Sequence, residues 1–289
     1  MRFMHLRWLY FSFSLTLIVI SLFSLFFWGF SPSIDFAGGN LWEISFSEPT
    51  TEQKVVEALG QTDKLLSIQQ LDENDYLIKS AHDVSDLKLE WERALTDRLG
   101  QFTQLRYESL GPSLGKELLT KALTGVLIAT FSILLYINLR FKSFKFGVCA
   151  VLAMFHDSLI LLGAFSLLGH FFAVEVDSLF VTAFLTILSF SVHDTVVVYD
   201  RIRELSKTHS KNMVTDVADM AVEETLVRSI NNSMTIIFVL SSLFLLGGES
   251  TRWFGLALLV GTVLGTYSST FTAVPLLIVW EKLTSKKRD

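Results

Sequence analysis

The sequence predicts a polytopic α-helical membrane protein, with six transmembrane helices and one α+β domain outside the bilayer. Three observations carry this prediction. Of the 289 residues, 51% are hydrophobic and mean hydropathy is +0.46, too apolar for a globular protein that presents a polar surface to water. Apolar runs recur six times, one before and five after a polar segment. Lysine and arginine gather in alternate connections between them.

The first run, 8–30, carries no charged residue and follows Arg2 and Arg7. At about 1.5 Å per residue it crosses roughly 30 Å of hydrocarbon, with Trp8 and Trp28 placed as interfacial anchors. A secretory signal peptide is the competing reading. The apolar core is too long for one and no small-x-small cleavage site follows, so residues 1–30 are expected to remain as the first transmembrane helix.

Residues 31–117 change character, with about twice as many acidic as basic residues and no long apolar run. The pattern predicts a strand at 41–46 and a helix at 51–59 with Thr50 or Thr51 as its N-cap. Strands follow at 66–71 and 76–80 around the turn Asp72-Glu73-Asn74-Asp75. A second helix at 84–99 places Val84, Leu87, Trp91 and Leu95 at helical spacing, and a last strand covers 102–110. The order β-α-β-β-α-β is the split unit of a ferredoxin-like domain.

Five further spans, 119–139, 146–168, 178–199, 233–246 and 253–280, are expected to form a bundle over 118–282, followed by a basic tail at 283–289. Basic residues cluster at Arg140, Lys142 and Lys145, at Arg201, Arg203, Lys207 and Lys211, and from Lys282 to the end. By the positive-inside rule both termini are cytoplasmic and the polar domain lies outside.

The most informative stretch is SFSVHDTVVVYDRIRE at 189–204, where an apolar span carries His193 and Asp194. A carboxylate inside a transmembrane helix costs roughly 2.5 to 3.5 kcal/mol on insertion scales. Such a group is a functional candidate by default, and burial favours its protonated form. Alternatively, Asp194 sits near enough to the cytoplasmic end to reach water or pair with Arg201.

The fifth span, short for a membrane crossing, follows an amphipathic stretch at 214–230. There Val214, Val217, Ala218, Ala221, Val222 and Thr225 form one face, and Asp216, Asp219 and Glu223 the other. At 100° per residue Arg228 falls on the apolar side. It either pairs with Glu224 one turn back or points into the bundle beside an acid.

The third span repeats the acid theme in Phe155-His156-Asp157. Two acids and two imidazoles suit a proton relay, although consecutive helical residues point about 100° apart and do not meet by spacing alone. Asp157 equally suits packing through a hydrogen bond to a neighbouring helix. In the last span Ala257, Gly261, Gly265 and Ser269 make one helix face small, fit for close packing within the bundle or against a partner. Pro275 is expected to kink that helix.

Several classes are excluded or unsupported. With Cys149 as its one cysteine, the chain forms no intramolecular disulfide and no cysteine metal site. Neither His-Asp span has the i,i+3 or i,i+4 ligand spacing of a metal site, and no cofactor is expected. Net charge −5 gives no support for nucleic-acid binding. No GxSxG, HExxH or P-loop assigns an enzymatic reaction.

Several motifs together resemble the SecF family of bacterial protein export. They are Ile34-Asp35-Phe36-Ala37-Gly38-Gly39 after the first helix, Gly111-Pro112-Ser113-Leu114-Gly115-Lys116-Glu117-Leu118 before the second, and Phe155-His156-Asp157. The stretch at 189–204 resembles the family's intramembrane signature. So does Arg228-Ser229-Ile230-Asn231-Asn232-Ser233, followed by Gly247-Gly248 and Gly265-Thr266-Tyr267-Ser268-Ser269. Asn232 stands where threonine is usual and Ala37 where threonine or another small residue is common; His193 is an accepted variant.

The resemblance implies half of a resistance-nodulation-division type bundle, completed by six helices of SecD, in the bacterial inner membrane. It implies partners in the Sec channel complex and in unfolded exported polypeptides, and use of the proton gradient late in export. Residue by residue, it implies Asp194 as the proton-carrying acid and Arg228 as its electrostatic partner. Asp35, Gly38 and Gly39 look like the junction where helix motion reaches the outer domain, or a plain turn. Two other functions compete: half of a small-molecule or lipid exporter of that superfamily, and a scaffold that uses no gradient.

Overall fold

A computed structural model describes residues 2–60, 65–80, 85–208 and 213–285. Val84, Lys211 and tail residues 286–289 lie outside them. The chain divides into two compact units, Pro32–Ala122 and the remainder.

In the first unit a four-residue helix α2 (Ile34–Ala37) precedes β1 (Gly39–Phe46), α3 (Glu52–Leu59), β2 (Leu65–Gln70), β3 (Asp75–Ser80), α4 (Ser85–Leu99) and β4 (Phe102–Leu110). The sheet is antiparallel with order β2-β3-β1-β4. Strict alternation along β1 puts Trp42, Ile44 and Phe46 inward, opposite Tyr76 and Ile78 of β3. These pack against Val55, Ala58 and Leu59 of α3 and Trp91 and Leu95 of α4. The Tyr76 hydroxyl donates to Thr50 O at 2.9 Å. Thr51 has extended N-cap angles but makes no side-chain cap bond.

The second unit holds α1 (Arg7–Phe27), most of α5 (Pro112–Phe141), α6 (Phe144–Phe172), α7 (Ser178–Leu205), α8 (Val214–Leu246), α9 (Glu249–Ser268) and α10 (Val274–Ser285). Six spans among the described residues are long and apolar enough to cross a membrane, the last running through α9 and α10. Helix α1 stops at Phe27, three residues before the apolar run ends, and Gly29 turns the chain with φ +65°. Its buried residues are Ser14, Ser21 and Ser24, whereas its large apolar side chains face outward. Small residues let it approach α6: a Cβ on Gly163 would lie 2.2 Å from Ser21 Cβ, and Ser24 Oγ donates to Ser166 Oγ at 2.8 Å.

Two sequence expectations change here. The short fifth span and the amphipathic stretch before it are one helix, α8, about 50 Å long at 1.5 Å per residue. A 14-residue span falls short of the hydrocarbon thickness, so the helix continues unbroken through the polar residues. Asp219, assigned to the polar face, is buried, because the 3-10 turn Phe3–Leu6 folds over it and Met4 N donates to its Oδ1 at 2.8 Å.

The last span changes its helical type ahead of Pro275. Ser269–Ala273 is a π-helical segment two residues ahead of Pro275, and Tyr199 OH donates to Ala273 O at 2.8 Å. The small face of α9 lies on α7 within this chain. A Cβ on Gly261 would meet Ile187 Cδ1 at 2.3 Å, and one on Gly265 would meet Ser191 Cα at 3.1 Å. That face is therefore occupied by α7 of this chain at Gly261 and Gly265, a packing contact within the bundle.

Candidate functional site in the membrane bundle

Helix α7 starts at Asp177, whose carboxylate accepts from Phe180 N at 2.7 Å. Counting from Ser178, the first helical residue, at 1.5 Å per residue puts Asp194 about 24 Å along a helix of roughly 42 Å. Asp194 is half-buried and accepts a hydrogen bond from Ser229 Oγ of α8. Beside it is a small open cavity with about 20 Å³ of room for water, lined by Phe190, His193, Asp194, Asn232, Ser233, Ile236, Thr262, Gly265 and Thr266. Its far wall is hydroxyl-rich, and the Ser233 and Thr266 hydroxyls lie 2.6 Å apart. A carboxyl group, an imidazole and hydroxyls around a small space suit water and proton exchange.

The charged residues are arranged differently from the sequence expectations. Arg201 does not serve Asp194; it holds Glu224, and Glu204 at 2.5 Å. Glu224 is thereby committed and does not pair with Arg228. Arg228 is exposed on α8 instead of pointing into this chain's bundle, and among the described residues no ion pair joins it to Asp194. Ser229, one residue along, takes that place. His193 is exposed at the cavity mouth.

Asp157 occupies a separate pocket at 0% exposure. Its Oδ2 accepts from Ser191 Oγ of α7 at 2.6 Å and from Ser268 Oγ of α9 at 2.5 Å. His156 Nδ1 lies 2.9 Å from Oδ1, so these neighbours do meet, which spacing alone did not predict. Among the described residues no direct hydrogen bond links this pair to His193 and Asp194. No three His, Cys, Asp or Glu side chains converge as a metal site among them either.

At the junction, Gly38 and Gly39 adopt φ +75° and +145°, angles that side chains resist. A Cβ on Gly39 would stand 2.7 Å from Ser80 O. Asp35 sits in the first turn of α2, its amide donating to Ser33 Oγ at 3.2 Å. The two glycine motifs meet: a Cβ on Gly115, near the start of α5, would lie 2.4 Å from Phe36 O and 3.2 Å from Asp35 O. Sequence reasoning missed this contact, and it missed Ser191, Ser229 and Ser268. Their one signal is a hydroxyl one turn from, or in register with, an intramembrane acid.

Comparison with known proteins agrees with this architecture. The family model for "Protein export membrane protein SecD/SecF, C-terminal" matches residues 91–283. Protein translocase subunit SecF of Thermobaculum terrenum is 38% identical, with 95% of this chain and 93% of that protein covered. The corresponding subunit of Anaerolinea thermophila is 37% identical over 95% and 92%. The crystal structure of SecDF, a translocon-associated membrane protein from Thermus thermophilus, superposes with TM-score 0.86 at 32% identity. It covers 98% of this chain and 39% of its own, so the present chain spans about two fifths of that protein. With the family model matching most of its length and SecF relatives matching nearly all of it, the chain belongs to the SecF family of protein-export membrane proteins.

Proposed function

We propose that this chain couples the proton gradient to protein export as one half of a complex with SecD in the bacterial inner membrane. As a SecF-family protein translocase subunit it functions in protein export; the energy source, orientation and remaining partners are our proposals. The observation that carries the reading is Asp194. It is an acid deep in an apolar helix, at a polar cavity, bonded to a neutral hydroxyl, while the arginine one residue from that hydroxyl is exposed and makes no ion pair among the described residues.

The cycle has two arrangements. Protonated Asp194 is held by Ser229; ionised Asp194 draws Arg228 across from the surface of α8, because an unpaired carboxylate is costly in a low-dielectric setting. A proton moving down the membrane potential supplies about 2.3 kcal/mol per 100 mV, enough to bias such a two-state element. The junction around Asp35, Gly38, Gly39 and Gly115 passes the change to the outer domain, which acts on the exported polypeptide beside the Sec channel.

Partnership with SecD is supported by the uncovered face of α7 and α8. His193, Arg228, Asn231 and Asn232 are exposed on transmembrane helices, and such groups are expensive against lipid but suited to a protein partner. The SecDF chain that this one resembles supplies the remainder of its own length in the same molecule. Both termini are cytoplasmic in this proposal, and the chain acts as a coupling subunit, not an enzyme.

The test is gradient-dependent export into inverted vesicles with Asp194→Asn, at matched amounts of protein and of co-purified SecD. Loss of the gradient-dependent component with assembly intact is the expected result. Unchanged export would leave the chain a scaffold.

A further inference from the structure

Asp157 is the most deeply buried acid among the described residues, at 0% exposure. Three groups address its carboxylate: Ser191 Oγ from α7, Ser268 Oγ from α9 and His156 Nδ1 from its own helix, α6. His156 is itself 6% exposed, and its Nε2 has no hydrogen-bond partner among the described residues. An unused lone pair is a smaller penalty than a buried N–H with no acceptor, so the imidazole proton belongs on Nδ1, donating to Asp157.

None of Asp157, His156, Ser191 or Ser268 lines the cavity beside Asp194. The other titratable groups near this pocket are Tyr267 of α9, whose ring stacks on His156 with centroids 6.5 Å apart, and Tyr10 of α1, whose carbonyl accepts from Tyr267 OH. At the cavity beside Asp194 the other titratable group among the lining residues is His193 of α7; Arg228 of α8, next to Ser229, is exposed, and α9 presents Thr262, Gly265 and Thr266 to that cavity.

We infer that Asp157 is a positioning residue for Asp194: a carboxylate that exchanges no proton and ties α6, α7 and α9 into the block that fixes where Asp194 stands. Ser191 lies one turn before Asp194 on α7, and Ser268 lies one turn after Gly265 on α9. Both anchoring bonds are thus within one turn of the cavity wall. Between them α7 and α9 touch at backbone distance, through Gly265 against Ser191. Helix α8 reaches the block near the cavity through hydroxyl contacts, Ser229 to Asp194 and Ser233 to Thr266, so it is the element that moves when Asp194 changes charge. This inference rests on the proton-coupling proposal above.

The test is labelling by a hydrophobic carbodiimide, which attacks protonated intramembrane carboxyl groups, followed across pH and mapped by mass spectrometry. It uses the intact complex in membrane vesicles, comparing wild type, Asp157→Asn and the double variant Ser191→Ala with Ser268→Ala. Asp194 is expected to label along a pH curve and Asp157 at no pH. Each variant is expected to shift the Asp194 midpoint by about half a pH unit or more. Should either variant fail to assemble, Ser268→Ala alone, which removes one donor of three, is read in its place.

Labelling of Asp157 along its own curve would make it a second carrier and overturn the inference. An unchanged Asp194 midpoint in assembled variants would reduce Asp157 to packing and also overturn it. Asp194 unlabelled at every pH in the wild type leaves nothing to position and overturns it as well. None of these readouts requires export, so failure of the coupling proposal appears separately, as gradient-dependent export that survives Asp194→Asn.

Discussion

Asp194 was legible as a carboxylate in an apolar run, because a charge there is costly and must be explained. Its partner was not legible. Serine is nearly neutral in a helix and its hydroxyl often bonds its own backbone, so nothing in Arg228-Ser229 says that the serine and not the arginine faces the acid. In the protonated arrangement this bond joins two neutral groups, and such a bond is worth about 0.5 to 1.5 kcal/mol. We expect Ser229→Ala to lower gradient-dependent export by about two- to tenfold, and Ser229→Thr to restore most of it in the same vesicle assay. Normal export by the alanine variant would remove Ser229 from the cycle.

At the scale of elements, spacing rules worked where one face is buried and failed where burial has another cause. Alternation located β1 and β3 to within two residues, because inward Trp42, Ile44, Tyr76 and Ile78 each alternate with a less buried neighbour. Helix α1 inverts the rule by burying serines and exposing phenylalanines, since its apolar face meets lipid and small residues serve contact with α6. Helix α8 was divided too early because its first half is polar. The small face of α9 leaves no room for growth against buried Ile187. Gly261→Val should cost about 1 to 3 kcal/mol by overpacking, read as loss of intact complex on heating in detergent, and Ile187→Ala should recover part of it. No loss with valine would mean that the α7–α9 contact is loose.

Tyr76 gives the α+β domain a pH dependence. Burial pushes its hydroxyl above the usual tyrosine range and nearby Glu52 adds to the shift. Because the neutral hydroxyl donates to Thr50 O, its contribution is fully present below about pH 10 and is lost as pH rises through the raised folded value. Proteolysis of the α+β domain should therefore accelerate above about pH 10 in wild type. Tyr76→Phe should lose about 1 kcal/mol at neutral pH and lack that alkaline component; identical alkaline profiles would assign it elsewhere.

For the membrane-spanning unit, several of the basic residues from which the orientation is proposed also sit together in space. Arg140 meets Asp200 at 3.1 Å, Arg203 donates to Arg140 O at 3.2 Å, and Lys145 pairs with Glu281, all at the end where Met4 is docked on Asp219. In a Cys149→Ser background, an impermeant maleimide applied to intact cells should label Glu175→Cys, in the loop after α6, and not Ser206→Cys after α7. The reverse pattern would invert the proposed topology.

By itself the sequence determined the number of spans, the order of elements in the α+β domain and the presence of an ionisable group in the bundle. Each follows from the local cost of putting polar or apolar atoms in the wrong solvent, which is paid residue by residue. The tertiary structure decided the pairings. Asp194 bonds Ser229 and leaves Arg228 outside, Asp157 gathers Ser191 and Ser268 from two other helices, and Gly115 lies against Phe36. These contacts join residues far apart in the chain through hydroxyls, carbonyls and missing Cβ atoms. Such groups carry little hydrophobic signal, so only packing reveals which of them meet.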